Sequence, residues 1–272
     1  MTVLPIGRGR TDCQSVQEMA DGLPIRPTSS AGQFVLLTLA WVAVGLLSAV
    51  QAQEVAAPES SVPPPRQEYL GRQIAQTMHY TGAEWLIRDV REREERCSLL
   101  LTNLGVRSGM TICDMGCGNG FYSLPLAKLV GPSGRILAVD IQPEMLVMLR
   151  SRAEQAGIDN ISPILGSIHS PRLPAGSADL ILLVDVYHEF SHPVQMLAAM
   201  REALKPDGLL ALVEFRAEDA KVPIQPLHKM SKEQIMKELP ANGFRLVKQF
   251  DKLPWQHLMF FGRDEQWQPK PE

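Results

Sequence analysis

The sequence predicts an α/β fold, a mostly parallel sheet with helices on both faces and an antiparallel hairpin strand at the C-terminal end. Three observations carry that prediction. From Met110 to Phe215, apolar strand-like runs alternate with helical segments, and parallel sheets with helical crossovers are written that way. Turn clusters punctuate the alternation, with Gly131-Pro-Ser-Gly134 and Lys205-Pro-Asp-Gly208 each stopping a helix before a strand. Near the C-terminus two successive strands are joined only by Asp251-Lys-Leu-Pro254. Parallel neighbours need a far longer crossover, so one of the two must run antiparallel.

The chain has 272 residues, 45% of them hydrophobic, and a formal net charge of -3. One substantial core is therefore affordable, and the natural count is a single domain of catalytic size. No stripe of clustered Lys and Arg is present, so nucleic acid is not expected as a partner. A small or neutral molecule fits better. Cys13, Cys97, Cys113 and Cys117 match neither a zinc ribbon nor a disulfide framework. They read as structural thiols, a metal or redox role for Cys113 and Cys117 is the lesser reading, and no metal site is expected.

Taken in order, residues 1–52 form a leader. Its apolar stretch Phe34 to Val50 follows Arg8, Arg10 and Arg26 and ends in Val50-Gln51-Ala52, a small-residue cleavage pattern. Two readings stand: a signal peptide cut after Ala52, or an uncleaved membrane anchor through residues 34–50. Either places the protein outside the cytoplasm, periplasmic or secreted, or attached to a membrane. A true start at Met19 would shorten the leader, and a mis-assigned start would leave the protein cytoplasmic. Residues 53–66, with Pro58 and Pro63-Pro64-Pro65, read as a solvated linker. The domain then runs over 67–272.

Within it, residues 67–105 are expected to be a helical lid. Thr81-Gly-Ala-Glu84 has the form of a capping box, and the helix it opens ends at Gly105. The run Arg91-Glu-Arg-Glu-Glu-Arg96 then reads as a solvated, ion-paired helix face. Strands are expected at Met110 to Asp114, Ile136 to Asp140, Ile161 to Leu165, Leu180 to Val186 and Leu209 to Phe215. Helices fall between them at Pro125 to Val130, Pro143 to Ala156 and Pro193 to Leu204, with Pro143 and Pro193 at or near first helical turns, where a missing N–H costs little. Ser231, with Gln234 three residues on, opens a last helix before strands Phe244 to Phe250 and Trp255 to Gly262.

The strongest local signal is Thr111-Ile-Cys-Asp114-Met-Gly116-Cys117-Gly118-Asn-Gly120, a strand ending in an aspartate and three alternate glycines ahead of a helix. Glycine lets a backbone approach a ligand and take positive φ, at the sheet edge where open α/β sheets bind. By itself the run also fits a tight strand-to-helix turn. The second element is Ile136-Leu-Ala-Val-Asp140-Ile141, whose carboxylate can accept hydrogen bonds from both hydroxyls of a ribose. Together these residues resemble the class I S-adenosylmethionine-dependent methyltransferases over about Met110 to Gly262. The resemblance implies a Rossmann-like, seven-stranded sheet and S-adenosylmethionine as cofactor. It assigns Asp114, Gly116, Cys117, Gly118 and Gly120 to the methionine part and Asp140 with Ile141 to the ribose. It places Asp185 at the end of the fourth strand beside the cofactor. Where many relatives carry an aspartate near adenine, this chain has Gly166-Ser167-Ile168, so Ser167 and Ile168 are the expected contacts to the base.

Methyl transfer needs a positioned nucleophile and, for oxygen or carbon acceptors, removal of a proton. Asp185-Val-Tyr-His188-Glu189-Phe-Ser-His192 puts candidate bases after the fourth strand, with His188 ahead of Glu189. Ser191 reads as a helix N-cap and His192 as a first-turn residue. Glu214, His228 and Lys229 are further candidates for the acceptor pocket, or else plain surface groups, and His79 and Tyr80 stand as acceptor-side candidates from the lid. A small-molecule acceptor is the expectation. Two other functions compete. A nicotinamide-dependent dehydrogenase wants Gly-x-Gly-x-x-Gly, which this loop is not; a methyltransferase-like scaffold without catalysis is the other, and retained cofactor affinity separates it from an enzyme.

Overall fold

A computed structural model of the chain describes residues 62–269. The leader, its apolar run at 34–50, Cys13 and most of the 53–66 linker lie outside the described residues. Among those described, no helix is long and apolar enough to cross a membrane.

The chain enters through a two-residue-per-strand hairpin, β1 (Glu68–Tyr69) and β2 (Arg72–Gln73), then a 3-10 segment Tyr80–Ile87 and two short helices, α1 (Arg91–Glu95) and α2 (Cys97–Asn103). The main elements follow: β3 (Thr111–Met115), α3 (Ser123–Val130), β4 (Arg135–Asp140), α4 (Pro143–Gln155), β5 (Ile161–Leu165), β6 (Ala178–Val184), α5 (Pro193–Ala203), β7 (Leu204–Phe215), α6 (Lys232–Ala241), β8 (Phe244–Phe250) and β9 (Gln256–Arg263).

Seven strands form one sheet in the order β5-β4-β3-β6-β7-β9-β8. All pairs are parallel except those of β9, which runs against both β7 and β8. The predicted α/β class, the seven strands and the antiparallel member of the final hairpin are thus all present. Strand alternation divides the core into two layers. Cys113, Met115, Val139, Ile181 and Leu183 pack with α5 and α6, whereas Ile112, Ile136, Ala138, Leu180 and Leu182 pack with α2, α3 and α4. Both faces being covered explains why these strands read as unbroken apolar runs. Pro163 sits on the edge strand β5, where a missing donor is tolerated, and the opposite edge β8 is exposed over Arg245 to Gln249 with Arg245 and Lys248 on it. Charge on an edge discourages pairing with another chain.

Four expectations are corrected. The 67–105 segment begins as a hairpin, and its helix is broken twice, at Arg88, whose backbone is extended, and at Arg96 in the left-handed region. The Thr81–Glu84 capping box is not used, because the His79 ring accepts the Thr81 N–H instead. Arg91 and Glu95 are buried rather than solvated: their side chains pair at 2.7 Å, and the Arg91 guanidinium lies 4.2 Å from the Phe121 ring centre. Ser191 does not cap α5; His192 occupies that position, and its Nε2 meets the Pro63 carbonyl at 2.8 Å. Together with the Arg66 amide donating to the Ser191 carbonyl, that contact ties the end of the expected linker to the domain. The Ser231 cap of α6 is present, accepting the Gln234 N–H.

Candidate active site

The sheet order reverses between β3 and β6, and a cleft opens there at the carboxyl ends of the strands. It is filled by a cavity of about 620 Å³, within the roughly 300–1,000 Å³ of small-molecule sites. The glycine loop forms one wall. Gly116 and Gly118 both have positive φ, and a Cβ at either would lie 2.4 Å from Val186 Cγ2 or 2.6 Å from Leu86 Cδ1. At these φ values an L side chain is strained, and both glycines line the cavity with bare backbone. Gly120 is different: its missing Cβ makes room for Leu124 and Leu149, which is packing behind the loop.

Asp140 closes β4 at the cavity wall. Its Oδ2 accepts the Gly118 N–H and its Oδ1 the Gln142 N–H, each at 2.9 Å. Each carboxylate oxygen has a second lone pair, so two acceptor positions remain for a pair of neighbouring hydroxyls. Burial raises the Asp140 pKa, and the backbone donors pull against that. Asp114 stands behind the wall, buried, accepting the Ser123 hydroxyl at 2.5 Å, and burial pushes its pKa up to about 6. Cys117 is likewise buried and off the cavity wall.

Ile141, Ser167 and Ile168 line the cavity beyond Asp140, with Ile168 exposed and suited to an aromatic base face. Asp185, at φ +53°, lines it from the end of β6. One of its oxygens accepts from Gln256 Nε2 at 2.7 Å; the other is buried with no partner among the described residues. Burial first, then the charges of Glu95 and Glu214, raise the Asp185 pKa well above the carboxylate range, and Arg91 opposes them. A cationic donor from a ligand would satisfy that oxygen. Adjacent hydroxyl acceptors at Asp140, exposed backbone at Gly116 and Gly118, and an unsatisfied carboxylate at Asp185 fit the ribose and amino-acid ends of S-adenosylmethionine.

Gathered at another part of the same cavity are His188, Glu189 and His228. Glu214, buried in β7, orients His188 twice: Oε2 lies 2.6 Å from His188 Nδ1, and Oε1 accepts the His188 N–H at 3.3 Å. That carboxylate fixes the tautomer, leaving Nε2 toward the cavity, 3.0 Å from His228 Nδ1. Burial lowers the His188 pKa, but the Glu214 charge outweighs it, and the net shift is upward. Burial raises Glu189 to about 7, while burial and then His188 lower His228. The remaining lid candidates lie elsewhere: His79 is exposed and Tyr80 borders a separate cavity of about 440 Å³.

Three site residues were missed by the sequence reading. Arg91 lines the cavity from within a charge run that resembles a solvated face. Gln142 binds the lid, its side chain accepting the Tyr80 N–H and donating to the Met78 carbonyl; a glutamine after a strand carries no distinguishing signal. Gln256 holds Asp185 from a strand 71 residues away.

Known proteins resemble the chain in sequence and in fold. A family model described as a methyltransferase domain matches residues 106–262, more than half of the chain. Among curated proteins, the nocamycin O-methyltransferase of Saccharothrix syringae is 32% identical over 132 residues, 48% of this chain and 45% of that protein. The ubiquinone/menaquinone biosynthesis C-methyltransferase UbiE of Salmonella arizonae is 28% identical over 148 residues, 54% of this chain and 57% of that protein. The chain thus spans about half the length of these relatives. In fold it is similar to a SAM-dependent methyltransferase from Aquifex aeolicus, with a TM-score of 0.64 and 24% identity over 68% of this chain and 98% of that one. With the glycine loop, the strand-end carboxylate and the sheet order all in place, the chain belongs to the class I S-adenosylmethionine-dependent methyltransferases.

Proposed function

We propose that the protein moves the methyl group of S-adenosylmethionine to a small-molecule acceptor by in-line displacement, with the acceptor's nucleophile placed beside His188, Glu189 and His228. One observation carries the reading: the cofactor-side residues Gly116, Gly118, Asp140 and Asp185 and the His188 cluster line one and the same cavity. The sulfonium leaves as a neutral thioether, so the protein's work is to hold the two reactants in line and to handle the acceptor's proton. Buried ionisable groups grouped at one end are suited to the second task. The relatives include an O-methyltransferase and a C-methyltransferase, and oxygen and carbon acceptors both shed a proton. The cavity's mixture of apolar walls and few polar groups favours a small organic acceptor over a polymer.

Calorimetric titration of the full-length protein with S-adenosylmethionine and with its demethylated product tests the cofactor half. Binding that Asp140→Ala weakens by about tenfold or more is expected, since loss of charge-assisted hydrogen bonds costs about 1.5–3 kcal/mol. No heat from a folded protein would favour the non-catalytic scaffold. The leader supports export or membrane attachment as a further part of the proposal; N-terminal sequencing of the mature protein, with Gln53 first, is the outcome expected for cleavage.

A further inference from the structure

His188 Nε2, His228 Nδ1 and Glu189 Oε1 form a triangle with sides of 3.0, 3.9 and 4.0 Å. The circle through three points with those separations has a radius of about 2.1 Å, so one position lies at that distance from all three atoms, and bonds from transition-metal ions to imidazole nitrogen and carboxylate oxygen are about 2.0–2.2 Å long. We propose that these three side chains bind a divalent transition-metal ion, which activates the acceptor's nucleophile; the proposal rests on the methyl-transfer reading for the ion's role, though not for its binding.

The surroundings are those of a metal site rather than of a chance cluster. The group behind His188 is the buried carboxylate of Glu214, 2.6 Å from the ring nitrogen that does not face the triangle. Metal-binding histidines commonly donate their second N–H to a carboxylate, which fixes the ring and makes the ligating nitrogen more basic. Glu189 Oε1 is held by the Met78 N–H at 3.2 Å. His188 and Glu189 share a 3-10 turn at Tyr187–Glu189, and His228 ends another at Pro226–His228. Two imidazoles and one carboxylate suit zinc, iron(II) or cobalt(II) better than magnesium or calcium, which prefer all-oxygen sets. Three ligands leave at least one coordination position open, and all three residues border the cavity that takes the reactants.

An acceptor hydroxyl bound at the open position would lose its proton to water more readily, as metal-bound water does. Its oxygen then forms the new bond to the methyl carbon as the carbon–sulfur bond breaks, and the electron pair of that bond stays on sulfur.

The test uses full-length protein freed of metal by chelation and titrated with Co²⁺, whose visible d–d absorption reports coordination. One equivalent bound with a nitrogen- and oxygen-ligand spectrum is expected. His228→Ala and Glu189→Gln should abolish the band, and Glu214→Gln should weaken Co²⁺ binding by about 10–100-fold, while calorimetry shows S-adenosylmethionine still bound by each variant. His79→Ala should leave the band unchanged. A wild-type protein that binds S-adenosylmethionine but takes up no Co²⁺, or a His228→Ala protein that keeps the full spectrum, would overturn the site. A Co²⁺ band lost in the variants, in a protein that binds no S-adenosylmethionine, would support the metal site and sink the methyltransferase reading instead.

Discussion

Asp114 and Asp140 end neighbouring strands of the same sheet, yet they do different work, and the strand register explains it. Asp114 pairs with Ala138 across the β3–β4 ladder, so Asp140 lies two residues farther toward the carboxyl edge, about 6–7 Å. It reaches the cavity; Asp114 stays inside and meets Ser123. Both carboxylates were legible as a pair in the sequence, but register is a property of the assembled sheet, and the resemblance alone put both on the cofactor. The consequence for Asp114 is measurable. Its native pKa, raised to about 6 by burial, exceeds the roughly 3.9 of an unfolded chain. Between those values the native state holds a proton that the unfolded state has lost, so stability falls as pH rises through this window and the loss is complete above about pH 6. Asp114→Asn cannot ionise and still accepts the Ser123 hydroxyl. Relative to the wild type, its urea-unfolding free energy should therefore rise between about pH 5 and pH 8, by an amount on the order of 1–2 kcal/mol. An unchanged difference at the two pH values would show that Asp114 is not carrying a buried charge.

The strands and the long helices were legible because their signals are local: apolar runs, prolines in first turns, and glycine at the ends. The segment from Tyr80 to Asn103 was not, although its sequence contains helix-like spacing throughout. What overrides the pattern is tertiary. Arg88 reaches both Glu94 and Glu95, Arg91 reaches Glu95 and the Leu86 carbonyl, and these bonds fold the segment back on itself. A run of alternating charges looks the same whether it faces water or an enclosed aromatic wall; only the packing of Phe121 and Tyr122 on Arg91 distinguishes them. Burial also sets the energetics. When Arg91 is lost Glu95 keeps Arg88, but when Glu95 is lost the buried Arg91 keeps only the Leu86 carbonyl, so Glu95→Leu should destabilise the protein by about 3–5 kcal/mol and Arg91→Met by less. Replacing both, Arg91→Met with Glu95→Leu, should recover a large part of that loss, because an apolar pair of similar volume often equals a buried ion pair. Chemical denaturation of the two single variants and the double variant gives the coupling directly, and additive losses would show that the pair is solvated after all.

The His188 end of the cavity was legible only in fragments, because no local pattern brings its members together. His188 and Glu189 follow β6, Glu214 ends the next parallel strand, and His228 comes from the insertion beyond it. The adjacency of β6 and β7 sets Glu214 behind His188, and the parallel bridge between Arg216 and Met230 returns the insertion to the sheet edge with His228 just before it. Across the whole molecule the same cleft depends on both the sheet and the lid: Gln142 grips Met78 and Tyr80, and Asn119 donates to the Ala83 carbonyl. A ligand held between glycine loop and lid must therefore stabilise both together, and the unfolded chain has no equivalent site. At 100 times the dissociation constant, binding to the native state alone contributes about 2.7 kcal/mol, which for a domain of this size raises the melting temperature by about 5–10 °C. S-adenosylmethionine and its demethylated product, added in the presence of a chelator so that no metal contributes, should each give that shift. Asp140→Ala should cut it by about half or more at the same ligand concentration. Gln142→Ala, which releases the lid without touching the loop, should leave a smaller shift. Equal shifts in the wild type and in Asp140→Ala would mean that the cofactor binds somewhere other than this cleft.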